Sequence, residues 1–208
     1  MDRHLSDYVE EHSSPEKPVL ARISRDTYLN VLNAHQLSGH IQGLLLSMLS
    51  RMIRPKQVLE IGTFTGYSAL CLAAGADKVV TVERNDELAD RIRRNLAFTP
   101  EGGKVELHIG DFKQVVKELQ GEFQLVFIDG DKREYLSFLE LVYPLVPSGG
   151  WILADNTLWG GHIIDPAYDK DSQTVALREF NDAVAADPRF EVLLLPVRDG
   201  LSILRKLG

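Results

Sequence analysis

Two short stretches of the 208-residue chain carry side chains able to hold a hard cation: Ile128-Asp129-Gly130-Asp131-Lys132 and Ala154-Asp155-Asn156. Asp129, Asp155 and Asn156 offer oxygen donors only, with no His or Cys among them. Such a set suits an octahedral Mg²⁺ that keeps positions open for substrate oxygens, with Mn²⁺ or Ca²⁺ as alternatives, and suits Zn²⁺ poorly. Asp, Asn and Gly also favour turns, so plain turn chemistry is the competing reading of either stretch alone. None of the six histidines falls at a metal-ligand spacing, and no Gly-x-Ser-x-Gly elbow supports a Ser-His-Asp hydrolase.

A third stretch, Glu60-Ile61-Gly62-Thr63-Phe64-Thr65-Gly66, has the form of a strand-to-helix turn. Gly62 permits a tight turn and the close approach of a ligand. The spacing is Gly-x-x-x-Gly, without a third glycine to seat a pyrophosphate, which disfavours a dinucleotide. Glu83 lies about 20 residues beyond Gly62, where a carboxylate can accept both ribose hydroxyls of a nucleoside cofactor. Asp111 follows the next strand, either on the adenine side of such a cofactor or as the N-cap of a helix.

These residues need a scaffold that brings strand ends together. Short apolar runs at Gln57–Ile61, Lys78–Glu83, Val105–Ile109, Phe123–Ile128 and Gly150–Ala154 alternate with helical segments. The helices run to about Ala74, from Asp86 to Leu96, from Lys132 to Val142 with Leu136, Leu139 and Tyr143 on one face, and from Val175 to Ala186. This alternation predicts an α/β fold with a mainly parallel sheet and helices on both faces. Phe190–Val197 and Leu201–Arg205 are joined only by Arg198-Asp199-Gly200, too short a link for anything but an antiparallel hairpin. Seven strands result, and the carboxylates fall at the sheet's carboxyl edge, where open sheets bind ligands. Residues 1–55 read as a helical cap within one domain of 1–208, with apolar stripes at Ile23, Tyr28, Val31 and Leu32 and at Ile41, Leu44, Leu45, Met48, Leu49 and Met52.

Composition narrows the setting. Hydrophobic residues make up 44% and charged residues 25%, as in ordinary globular domains. The net charge of −7 argues against a nucleic-acid footprint or a polybasic membrane anchor, although Arg91, Arg93 and Arg94 could form a local basic face. The single cysteine, Cys71, excludes an intrachain disulfide and reads as a buried thiol in an apolar run. No run approaches the roughly 18 apolar residues of a membrane span, and the start, from Met1 to Asp7, lacks a signal-peptide core. The expectation is a cytoplasmic protein.

The segments from Leu59 to Ser68, from Ile128 to Lys132 and from Asp155 to Gly161 together resemble the cation-dependent O-methyltransferases, a family that includes caffeoyl-CoA and catechol enzymes and many small bacterial ones. The resemblance covers essentially the whole chain. It implies the Rossmann-like class I methyltransferase fold and S-adenosylmethionine as cofactor, held by Glu60, Gly62, Phe64, Ser68, Glu83, Asp111, Phe112 and Asp129. It further implies a divalent cation on Asp129, Asp155 and Asn156, Lys132 as general base, and a homodimer. The acceptor it implies is a small vicinal dihydroxy aromatic. The stretch Leu195-Pro196-Val197-Arg198-Asp199-Gly200 lacks the glutamate that mammalian catechol enzymes carry before the final Asp-Gly turn. Alternative readings are O-methylation of 5-hydroxyuridine in tRNA, a nicotinamide oxidoreductase sharing the Glu83 position, and a non-catalytic cofactor-binding module.

Overall fold

The structure, a computed structural model, describes residues 3–208. Met1 and Asp2, the first residues of the segment read as lacking a signal-peptide core, lie outside the described residues. The apolar runs form β1 (Gln57–Ile61), β2 (Lys78–Glu83), β3 (Val105–Ile109), β4 (Leu125–Ile128), β5 (Trp151–Asp155), β6 (Phe190–Leu195) and β7 (Leu201–Lys206). They make one seven-stranded sheet of order β3-β2-β1-β4-β5-β7-β6. The first five strands are mutually parallel, while β7 is antiparallel to both neighbours, as a hairpin demands.

Helices cover both faces. Five precede β3: α1 (Arg3–Glu11), α2 (Pro18–Asn30), α3 (Gly39–Ile53), α4 (Tyr67–Leu72) and α5 (Ala89–Leu96). Three follow it: α6 (Phe112–Val115), α7 (Tyr135–Val142) and α8 (Ser172–Ala186). Strand periodicity sends alternate side chains to opposite layers. Leu125 and Phe127 thus join Leu46, Tyr67 and Ile92 in the layer under α2–α5, while Val126 and Ile128 join Tyr135, Phe138 and Phe180 under α7 and α8.

Three helical faces differ from the stripes that the sequence suggests. In α2 the buried residues are Leu20, Ile23 and Thr27, and Tyr28 and Leu32 are exposed; the helix ends at Asn30, so Val31 and Leu32 belong to a loop. In α3 the buried face is Gln42, Gly43, Leu46, Ser47 and Ser50, leaving Met48 and Met52 exposed. Small residues win there because α3 and α4 approach closely. A Cβ on Gly43 would lie 2.6 Å from the Tyr67 ring and 2.9 Å from Cys71 Sγ, and Ser50 Oγ donates to the Leu72 carbonyl at 2.5 Å. In α7 the buried residues are Tyr135, Phe138, Leu139 and Val142, while Leu136 and Tyr143 are only partly covered. Cys71 is buried, and burial pushes its thiol up to about 12, so it is inert at neutral pH.

Candidate active site

The sheet order reverses between β1 and β4, and the crevice at such a switch point is where open α/β sheets take ligands. Here the loops after β1, β2, β3, β4 and β5 line a cavity of about 800 Å³. Gly62, Phe64, Glu83, Asp111, Phe112, Asp129, Lys132, Asp155 and Asn156 all reach its wall. The alternation of the chain therefore assembles, at one edge, residues spread over nearly a hundred positions.

Gly62 adopts φ 98°, and a Cβ there would stand 2.1 Å from the Asp129 carbonyl oxygen. The glycine is needed first for the packing of the β4 loop on the β1 loop, which the Asp129 N–H seals by donating to the Ile61 carbonyl at 2.8 Å. Phe64 also lies in the left-handed region, at φ 50°, a conformation that an aromatic residue rarely holds. Its N–H is fixed by Glu83, whose Oε2 accepts from Phe64 N at 2.7 Å and Oε1 from Asn85 N at 2.8 Å. Each carboxylate oxygen keeps a lone pair for a further donor, and Glu83 is part of the cavity wall.

Asp111 is the N-cap considered for it, and it also stands on the cavity wall. Its side chain caps α6 by accepting from Lys113 N at 2.8 Å. Phe112 packs edge-to-face on Phe138, with ring centroids 5.5 Å apart. Glu60 and Ser68 are placed differently. Both are buried, and neither is on the cavity wall. Glu60 Oε2 accepts from Thr81 Oγ1 at 2.5 Å across the β1–β2 register, while Oε1 has no hydrogen-bond partner. Burial pushes the Glu60 carboxyl up to about 7 against the pull of the Ser68 and Thr81 hydroxyls, and the charges of Asp129 and Glu83 add to the rise.

The ends of β4 and β5 carry the densest cluster. Lys132 is only 6% exposed, unusual for a lysine. Its Nζ donates to Asp129 Oδ1 at 2.9 Å and to the Tyr135 hydroxyl at 2.6 Å. That hydroxyl in turn lies 3.0 Å from the Asp155 carbonyl and 3.2 Å from the Ile128 carbonyl, bridging the two strand ends. Burial draws the amine down, but Asp129, the Tyr135 oxygen and Asp155 outweigh it and hold Lys132 above its ordinary value. Asp155 is buried beside Asp129. Desolvation first, and then the Asp129 charge, push its carboxyl up to about 6, opposed by Lys132, Gln42 and the Asn156 N–H. Asn156 stands at φ 58°, which asparagine tolerates, with its N–H on Asp155 Oδ1 at 2.8 Å.

Tyr135 and Gln42 escape a reading of the sequence. Tyr135 sits three residues beyond Lys132, a spacing that pairs side chains on a helix but does not by itself mark a function. Gln42 lies in an apolar helix, and only the fold brings it to Asp155. The basic face considered for α5 is largely neutralised, since Arg91 pairs with Asp26 and Arg93 with Asp90.

Comparison with known proteins agrees with this geometry. The sequence profile of the O-methyltransferase family matches residues 10–207. Caffeoyl-CoA O-methyltransferase 1 of Eucalyptus globulus is 33% identical over 181 residues, covering 80% of this chain and 73% of that protein. A probable caffeoyl-CoA O-methyltransferase 1 of Dictyostelium discoideum is 30% identical over 212 residues, covering 98% and 92%. The SAH-bound methyltransferase PaMTH1 of Podospora anserina superposes with a TM-score of 0.89 at 28% identity, covering 100% of this chain and 97% of its own. With the same seven-stranded architecture and a family match over almost its full length, this chain belongs to the O-methyltransferase family and is a methyltransferase.

Proposed function

We propose that the protein transfers the methyl group of S-adenosylmethionine to one hydroxyl of a small vicinal dihydroxy aromatic, with a divalent cation held by Asp129, Asp155 and Asn156. The observation that carries this reading is the pairing of buried Asp155 with half-buried Asp129 at adjacent strand ends. Burial first, and then the Asp129 charge, raise Asp155 to about 6, and two such carboxylates, flanked by a carboxamide and opening on a large cavity, fit a hard cation better than they fit each other. The SAH-bound relative and the caffeoyl-CoA relatives support cofactor and acceptor class.

The cation, when bound, supplies positive charge that stabilises an acceptor oxyanion. The chain's own residues do the rest. Glu83 accepts the ribose hydroxyls with its spare lone pairs, Phe64 and Phe112 bound the cofactor's place, and Asp111 lies at its adenine side. Glu60 and Ser68, buried off the cavity wall, act by holding the β1–α4 turn. Lys132 Nζ is aimed at the strand ends by Asp129 and Tyr135. Only when the two carboxylate charges are offset is its amine neutral, and it then takes the acceptor's proton at Nζ.

The homodimer implied by the family resemblance is supported by apolar side chains left in solvent on α2 and α3, namely Tyr28, Leu29, Met48 and Met52. No helix among the described residues is long and apolar enough to cross a membrane. A methyl-transfer assay across catechols, dihydroxycinnamoyl thioesters and hypomodified tRNA, with and without EDTA, tests the function. Turnover on the phenols that vanishes in chelator and returns with Mg²⁺ or Mn²⁺ is expected. Full activity in chelator, or turnover on tRNA alone, overturns it.

A further inference from the structure

Two arginines on the cavity wall, Arg84 and Arg198, make no ion pair among the described residues, and of the two Arg198 is the one whose guanidinium is anchored by hydrogen bonds. Arg198 lies in the β6–β7 connection at φ 50°, a left-handed conformation that an arginine holds only where surrounding structure imposes it. The imposing structure is the segment that follows the oxygen donors. Asp199 O accepts from Leu158 N at 2.7 Å and from Trp159 N at 3.0 Å, and Gly200 O accepts from Thr157 N at 3.2 Å. The turn is thus bolted to the residues immediately after Asp155 and Asn156.

Nη1 of Arg198 donates to the Leu37 carbonyl at 3.1 Å and to Gln42 Oε1 at 3.2 Å, both neutral oxygens. Among the described residues its Nε and Nη2 have no hydrogen-bond partner, and no carboxylate lies within ion-pair distance. Arg91 and Arg133, on the same wall, are paired with Asp26 and Asp131. Gln42 is 2% exposed; its amide nitrogen lacks a partner at full bonding distance yet sits near enough to Asp155 to draw that carboxyl down. One side-chain amide therefore separates the guanidinium from the oxygen donors. A guanidinium held by one nitrogen, with the rest of its planar fork open, matches a carboxylate.

We propose that Arg198 is a specificity-determining residue whose open edge binds a carboxylate carried by the aromatic acceptor, on the ring or a short side chain. The assignment rests on the reading of the site as a dihydroxy-aromatic methyltransferase. Arg198 and the donor set line one cavity with a single side-chain amide between them, which favours a carboxylate on the acceptor's own ring or a short side chain over the phosphates of a nucleotide thioester.

The test compares three acceptors, 3,4-dihydroxybenzoate, its methyl ester and caffeoyl-CoA, in the wild type and in Arg198→Asn, chosen because asparagine accepts the left-handed backbone. If that variant fails to fold, Arg198→Gly meets the same φ. The wild type should prefer the carboxylate to the ester in kcat/KM by about 10- to 100-fold, the range of a hydrogen bond to a charged group. Arg198→Asn should collapse that ratio towards one through KM, and Arg198→Lys should restore only part of it. An unchanged ratio, or equal losses on acid and ester, overturns the proposal while leaving the methyltransferase reading intact. Loss confined to caffeoyl-CoA overturns the carboxylate assignment in favour of phosphate. A wild type that methylates none of the three overturns the underlying reading and this one with it, and is recognised by the absence of any turnover.

Discussion

The Cβ position of Gly62 points at the carbonyl oxygen of Asp129 from 2.1 Å, so the loops after β1 and β4 touch backbone to backbone at the point where the sheet order reverses. The cofactor-side turn and the first acidic donor are therefore one rigid unit. Gly62→Ala should destabilise the protein by roughly 2–4 kcal/mol, combining left-handed strain with overpacking. Urea unfolding measures this. A loss under 1 kcal/mol would mean that the two loops part easily.

Glu83 holds the strained Phe64 N–H and stands on the cavity wall with acceptor capacity to spare. Glu83→Ala should weaken S-adenosylmethionine binding by about 1.5–3 kcal/mol, the range for hydrogen bonds to a charged group. Glu83→Gln, which keeps one acceptor oxygen, should lose less. Isothermal calorimetry with S-adenosylhomocysteine reads both, and unchanged affinity would remove Glu83 from the site.

Lys132→Met should lower turnover by about 10²–10⁴-fold, the usual contribution of a positioned proton acceptor, while sparing cofactor affinity. Acceptors with more acidic hydroxyls should suffer less, because they need less help to ionise. Near wild-type turnover on every acceptor would reduce Lys132 to a structural partner of Asp129 and Tyr135.

Glu60 makes stability depend on pH. Its carboxyl is raised from 4.5 to about 7 by burial, so between those values the folded state binds more protons than the unfolded state. Stability contributed by the neutral acid is fully present below about 4.5 and is lost as pH rises towards 7, by on the order of 3 kcal/mol. Glu60→Gln should flatten the dependence of urea-unfolding free energy on pH across that window. A wild-type curve with no such slope would mean that Glu60 ionises freely where it is.

The strands, their mainly parallel orientation and the final hairpin are legible in the sequence, because period-two burial and link length are local properties of the chain. Asp129, Asp155 and Asn156 are legible for the same reason, since each directly follows an apolar run or closes it. The buried faces of α2 and α3 are not. They depend on how near one helix comes to another, and at Gly43 and Ser50 closeness outweighs hydrophobicity. Nor does sequence spacing reveal that Glu60 is buried off the cavity wall, that Lys132 is sealed between Asp129 and Tyr135, or that Gln42 lies between Arg198 and Asp155. Residues 42, 155 and 198 meet only after the sheet forms. The surroundings that decide each group's charge and reach are non-local contacts, which tertiary packing alone supplies.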